Sequence, residues 1–421
     1  MVERSELVRI LLNTASQITV RFSGTITTFA TTLLILSFLG VSSLGSFVKV
    51  TSFVALFYIL IDFGLNTTYL KDHFQKTEDY FGNLIVLRLL ISFGVFLLVC
   101  CLIVFAPPSF SLGFSQIEKL GVFVYSFTLF TEGVLISFSG LTQKKLLQKT
   151  LILPSIISSI IVLFLVILGV VSSNFFLILL SYPIGELVQI LFLLYFVKRN
   201  ILFRILPVTF YSFSKKALIA AIPLALMLFL NVIYFRIDTI ILSIYKPNVD
   251  VGIYGFSYKI FEFLLVIPTF LSSSVFPILI QHKDNAYEFS KRVKYYSAIL
   301  LGVSLIMSTF IFLTAPFLVY LKSDIEASQV PLQILAFSLP FFFLTSLMQW
   351  VLLLKGKIRS LIIIYFLTMC INIGLNVVLV PIFSYNASAA VTVATEILVF
   401  FCMLPVFIFV SMENSTKHKS K

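Results

Sequence analysis

The sequence predicts an all-α integral membrane protein of about twelve transmembrane helices, arranged as two six-helix bundles around a central cavity. Three observations carry this prediction. Apolar residues make up 59% of the 421 positions and charged residues only 11%, against about 25% charged in a soluble chain whose surface must face water. Apolar stretches of about 20 residues, the length that crosses a bilayer, recur from end to end. Similar sequences also stand at matching places in the two halves of the chain.

The spans are read at 14–37, 44–65, 82–105, 117–139, 151–171, 174–197, 217–245, 251–281, 294–314, 328–354, 360–380 and 387–411. Too little lies between them for a soluble domain. The opening MVERSELVRILLNTASQ is mixed in charge and has no apolar core ending in small residues, so it does not read as a cleavable signal peptide. The first span acts as the insertion signal.

The net charge is +12, and its placement sets the orientation. Alternate loops and the termini carry Arg4, Arg9, Lys71, Lys76, Lys144, Lys145 and Lys149, then Lys198, Arg199, Arg204, Lys215 and Lys216. The same side holds Lys283, Lys291, Arg292, Lys294, Lys355, Lys357, Arg359, Lys417, Lys419 and Lys421. The opposite loops hold Lys246 and Lys322. Cations mark the cytoplasmic side, which places both termini in the cytoplasm. Charge used in this way reports topology, not a nucleic-acid surface.

The four cysteines fall inside spans and have no ligand spacing with His73, His282 or His418, so neither a zinc site nor a disulfide framework is expected.

The repeat comes next. LSFLGVSSLGSFVKVTSF from Leu36 parallels LSIYKPNVDVGIYGFSYK from Leu242, aligning Gly45 with Gly252 after one inserted residue. GELVQILF around Glu186 in span six parallels TEILVFF around Glu396 in span twelve. Both pairs lie about half the chain apart, which implies duplicated lobes related by an axis along the membrane normal. The expected organisation is a lobe over 1–200, a basic cytoplasmic linker over 201–216 that lies in the interface, and a second lobe over 217–421. Two lobes rocking around a midplane cavity is a transporter's architecture. Prolines 154, 183, 223, 268 and 340 are expected to bend their helices and free a carbonyl each.

Charges within spans need explaining, since one at the bilayer centre costs at least about 2.5–3.5 kcal/mol. Arg88, Lys49 and Lys119 lie near span ends and are expected to snorkel out. Asp62, near the end of span two, suits capping or ion pairing as well as transport. Arg236 stands about nine residues before the outer turn and Lys259 about eight after it, hence at one depth. Arg236 and Asp238, two apart, point to nearly opposite sides of span seven, whereas Lys259 and Glu262 share a face of span eight. Span eight therefore cannot serve both Arg236 and Asp238. Interhelical ion pairs and a cavity lining are both open readings of this group. Arg21 has no acid within reach on its own helix and is read as an anion ligand in a watery cavity. Glu132, Glu186 and Glu396 complete the set, as coupling or ion-pair carboxylates. Asn372 and Asn376, four apart on span eleven, either line the cavity or join helices.

The stretch FRIDTIILSIYKPNVDVGIYGFSYKIFEFLLVIPTFLSSSVFPIL (Phe235–Leu279) resembles spans seven and eight of the polysaccharide-biosynthesis flippases, the O-antigen flippases of the superfamily that includes multidrug extruders and the lipid II flippase. The matching residues are Asp238, Gly252 with Tyr254, and Pro268 with Pro277. DFGL at Asp62 is similar to that family's end of span two, and NIGLNVVLVPIFSYNASAAVTVATE from Asn372 to its spans eleven and twelve. The turn in the last segment departs from the family's usual Gly-Ala-Ala, reading Asn386-Ala387-Ser388-Ala389-Ala390. The resemblance implies movement of undecaprenyl-pyrophosphate-linked oligosaccharide across the cytoplasmic membrane. It also implies membrane lipids as surroundings and a polymerase and chain-length proteins as pathway partners, with no nucleic acid. The anionic cargo suits Arg21, Arg236 and Lys259.

Two alternatives stand beside it. Efflux of small organic cations on the same architecture predicts a net acidic cavity. A membrane-embedded polymerase or ligase needs catalytic residues on a sizeable external loop, and the external loops around 106–116 and 315–328 are short with no histidine. No nucleophile–base pair, phosphate loop or nucleotide motif is visible. No cofactor is expected, and energy would come from a proton or sodium gradient or from the cargo's own flux.

Overall fold

Helix follows helix through the described part of the chain, without a β-strand element among them. The computed structural model describes residues 2–70, 80–105, 113–145, 147–198, 210–282, 285–320 and 323–417. Lys71, Lys76, Arg199, Arg204, Lys283, Lys322, Lys419, Lys421, His73 and His418, together with 201–209 of the expected linker, lie outside the described residues.

The spans emerge much as hydropathy placed them. Span one and most of span two form α1 (Val2–Ala55), with α2 (Tyr58–Asp62) and α3 (Leu65–Leu70) completing the second. Span three is α4 (Tyr80–Phe105), and span four is α5 (Gln116–Tyr125) with α6 (Thr128–Lys144). Spans five to nine are α7 (Ile152–Val171), α8 (Phe175–Lys198), α9 (Phe210–Tyr245), α10 (Asn248–Gln281) and α11 (Ala286–Thr314). Span ten is α12 (Gln329–Ala336) with α13 (Leu339–Leu354), and α14 (Ile358–Lys417) holds the last two.

The 54 residues of α1 and 60 of α14 would each extend about 80–90 Å as one rod, far more than the roughly 30 Å of hydrocarbon. Each is broken once, at Gly40 (φ 84°, ψ 174°) and Ser384 (φ 52°, ψ −137°). Nine long apolar helices, or ten counting the bent pair of span ten, are present among the described residues. Two are double-length, which gives twelve crossings.

Spans four and ten share a break that hydropathy does not show. Ser126-Phe127 separates α5 from α6 and Phe337-Ser338 separates α12 from α13, the second pair bent by 46°. In each break a buried serine hydroxyl donates back to the preceding turn: Ser126 to Val122 and Ser338 to Leu335, both at 2.6 Å. A hydroxyl that takes a helical carbonyl loosens the backbone ladder there. The prolines differ in effect. Pro340 lies in the first turn of α13 and Pro154 in the first turn of α7, where no intrahelical donor is lost, so these two start helices instead of bending them. Pro183, Pro223 and Pro268 do lie inside helices.

The chain divides into two compact units, Met1–Val232 and Ile233–Lys421, with the division inside α9. In the first, α1 packs on α5 and α7, α7 on α8, and α6 on α4 and α8. The opening of α9, starting within the expected linker at Phe210, belongs here: Phe213, Ala217 and Ala221 are buried against Leu65, Leu84 and Leu87. In the second unit α13 packs on α10, α11 and α14, and α12 on α10 and α14.

Candidate functional site

In the first unit the polar centre is built around Arg88. Its guanidinium is fully buried, donating through Nη2 to Asp62 Oδ1 at 3.1 Å and Asn66 Oδ1 at 2.9 Å, and through Nη1 to Ser137 Oγ at 2.9 Å. These partners come from α2, α3 and α6, brought in by two left-handed residues, Phe63 (φ 45°) and Gly64 (φ 65°), that turn the chain after Asp62. DFGL is therefore a turn that aims a carboxylate. Gly140 leaves the space for Asn66, since a Cβ there would stand 2.5 Å from Asn66 Oδ1. The expectation that Arg88 snorkels out is overturned. It points inward because Asp62, Asn66 and Ser137 satisfy it better than a strained reach toward the headgroups. Lys49 is likewise buried, donating to the Gly113 carbonyl at 2.6 Å with Glu118 3.6 Å away.

Nearby on α6, Glu132 is half-buried and within electrostatic range of Arg88 and Asp62. Glu186 on α8 accepts from the Thr131 hydroxyl, and Tyr58 shares a hydrogen with Thr128 at 2.7 Å. Arg21 on α1 is exposed, and its guanidinium has no hydrogen-bond or ion-pair partner among the described residues.

The second unit separates the charges of spans seven and eight as their spacing requires. Arg236 Nη2 donates to Glu262 Oε1 at 2.8 Å and Lys259 Nζ to Glu262 Oε2 at 2.7 Å. All three are partly open, at 24%, 20% and 32% exposure. Asp238, turned the other way, is 2% exposed. It accepts from the Tyr254 hydroxyl, from Thr392 at 3.1 Å and from the Thr239 backbone N–H at 2.7 Å. Glu396, also buried, accepts from Thr345 at 2.5 Å and Tyr234 at 3.0 Å. Among the described residues no lysine or arginine nitrogen comes within 4.0 Å of Asp238 or Glu396. Asn376 donates to Asn372 Oδ1 at 3.0 Å and Asn372 to Thr395 at 3.2 Å, so this pair joins helices instead of lining an opening.

The two halves thus share a motif. A threonine of span four holds Glu186 of span six, and a threonine of span ten holds Glu396 of span twelve. Sequence reasoning found both glutamates by their offset but not the threonines, which have no distinguishing local spacing. No group of three His, Cys, Asp or Glu side chains suited to a metal occurs among the described residues.

Comparison with known proteins decides the family. The profile described as "Polysaccharide biosynthesis protein" matches residues 10–283. The chain belongs to that family. A second profile, MatE, matches 223–378 of this family member. No curated protein sequence matches it. Its fold is similar to "Lipid II flippase MurJ, inward closed conformation", at TM-score 0.72 and 15% identity over 96% of this chain and 91% of that one. It is equally similar to the inward-facing conformation of a multidrug resistance MATE family transporter of the MOP superfamily, at 0.72 and 14% over 96% and 99%. A MOP superfamily transporter from Pyrococcus furiosus, whose pocket is described as having reverse polarity suggesting a different function, matches at 0.67 and 14% over 97% and 95%. The chain thus pairs membership of the polysaccharide-biosynthesis family with the fold seen in that lipid II flippase and that MATE transporter.

Proposed function

We propose that this family member flips undecaprenyl-pyrophosphate-linked oligosaccharide repeat units across the bacterial cytoplasmic membrane for O-antigen or other surface polysaccharide. The observation that carries the reading is the partly open Arg236–Glu262–Lys259 group, in which two cations share one carboxylate inside a span pair. A pyrophosphate is the complementary cargo group. Arg21, in the other unit, is exposed, as an anion ligand must be. In this reading lobes 1–200 and 217–421, joined by 201–216, rock around a central cavity with both termini cytoplasmic. Asp238, Glu186 and Glu396, held by neutral donors, are carboxyl groups that a proton or sodium gradient can use. Asp62 and Glu132 belong with Arg88 as ion-pair carboxylates. Polymerase and chain-length proteins of the pathway are the expected partners.

Efflux of small organic cations is the second reading. It is favoured by the MatE match and by the acid excess around Arg88, where Asp62 and Glu132 face one cation. Deleting the gene and returning variants separates the two. Surface polysaccharide should be lost on deletion, with lipid-linked repeat units retained on the inner leaflet. Wild type should restore it, and Arg21→Ala or Lys259→Ala should not. Normal polysaccharide in the deletion strain, with heightened sensitivity to organic cations, would replace the flippase reading by the second.

A further inference from the structure

The two oxygens of Glu262 hold two different cations, Oε1 taking Arg236 and Oε2 taking Lys259. This is the arrangement of an anion already in place, bridging spans seven and eight as a phosphate's oxygens would. Building on the flippase reading above, we propose that Glu262 is an internal counter-anion that the cargo's pyrophosphate displaces, and whose return helps to expel the cargo.

Three features support exchange instead of a fixed strut. First, the trio is partly open, whereas Asp238, only two residues from Arg236, is almost fully enclosed by Tyr254 and Thr392. A ligand can reach the first group and not the second. Second, Glu262 and Lys259 are one turn apart on α10, while Arg236 comes from α9. A displaced Glu262 carboxylate stays within a side chain's reach of its old position, so it remains a competitor for the same two cations. Third, a carrier must bind tightly enough to load and loosely enough to unload. Without Glu262 the two cations would hold a pyrophosphate more tightly and would repel each other more when empty. A resident carboxylate answers both problems, because the charge it contributes is present before loading and after release.

The test uses the full-length protein in lipid nanodiscs, titrated with farnesyl pyrophosphate as probe and farnesol as uncharged control. Glu262→Gln keeps the shape and an acceptor but removes the charge. It should bind the pyrophosphate at least about fivefold more tightly than wild type, with farnesol unchanged, and in cells it should flip more slowly. The double variant Glu262→Gln with Arg236→Gln, which returns the net charge to +1, should fall back toward wild-type affinity. Glu262→Asp, too short to bridge both cations, should also tighten binding, and it serves if the glutamine variant does not fold. If glutamine and aspartate variants bind no more tightly while Arg236→Gln and Lys259→Gln each weaken binding, Glu262 is a strut and the flippase reading survives. If no variant alters pyrophosphate binding, the cargo assignment fails and the counter-anion role with it.

Discussion

Arg88 and Arg236 are both arginines inside the membrane answered by carboxylates, and they are built for opposite ends. Arg88 is wholly buried, and both its terminal nitrogens are held by groups from three other helices, Asp62, Asn66 and Ser137. Arg236 is partly open and shares its carboxylate with a second cation. Enclosure makes a lock, because the partners of Arg88 come from three helices and depend on one another. Sharing in a partly open group suits a site, because the position is accessible. On the proposed function, the difference separates a cation that holds a lobe together from those that meet a cargo.

The largest effect that would break this contrast is on folding. Arg88→Ala strips the guanidinium from Asp62 and leaves a carboxylate, 26% exposed, without its cation, which costs up to about 3–5 kcal/mol. Little monodisperse protein should be recovered from membranes, and Arg88→Lys should rescue part of it, since an ammonium can meet Asp62 but not the whole fork of partners. Wild-type thermal stability in Arg88→Ala would place Arg88 with the exchangeable cations. Arg236→Ala, by comparison, leaves the Lys259–Glu262 pair standing at 2.7 Å. It should reach the membrane in normal amount, melt within about 1 kcal/mol of wild type, and lose flipping by more than about tenfold. The readouts are membrane abundance beside surface polysaccharide. Equal losses in both would mean that Arg236, too, is structural.

The carboxylates sharpen the comparison at the next level. Glu396 is enclosed by two hydroxyl donors and Glu186, in the other half, accepts from Thr131. Among the described residues neither has an ion-pair partner, which suits each to the proposed exchange with a proton or sodium ion. Glu396→Gln should abolish the dependence of transport on the membrane gradient, and Glu186→Gln should reduce it less, because Glu186 is less enclosed. Transport followed with and without an ionophore decides this. Wild-type transport that ignores the ionophore would remove the coupling role from both.

How far these roles could be read in advance depended on whether the partner was near in sequence. Asp238 and Arg236 are two apart, and helical geometry alone sent them to different faces, as found. Lys259 and Glu262 are three apart, and their shared face was equally visible. Arg88 was misplaced because its partners lie on α2, α3 and α6, and distance from the span end is a poor guide when tertiary contacts compete with the headgroups. Span number and place were legible because about 20 apolar residues are a physical requirement of the bilayer. The breaks at Ser126-Phe127 and Phe337-Ser338 were not, since a serine that takes a carbonyl looks in sequence like any serine in a membrane helix.

The smallest expected effect concerns the two turning points within double-length helices. Gly40, at φ 84° and ψ 174°, occupies a region that side chains scarcely enter, so Gly40→Ala should cost about 1–3 kcal/mol. Ser384, at φ 52° and ψ −137°, tolerates a strained backbone while its hydroxyl donates to Asp250 at the start of α10. Two opposing terms then meet in one position. Ser384→Gly relieves backbone strain and forfeits the hydrogen bond, each worth about 1 kcal/mol, so the melting temperature should barely move. Ser384→Ala keeps the strain and loses the bond, and should melt below both wild type and the glycine variant. If alanine and glycine prove equally stable, strain contributes nothing at Ser384, and the contrast with Gly40 rests on the hydrogen bond to Asp250 alone.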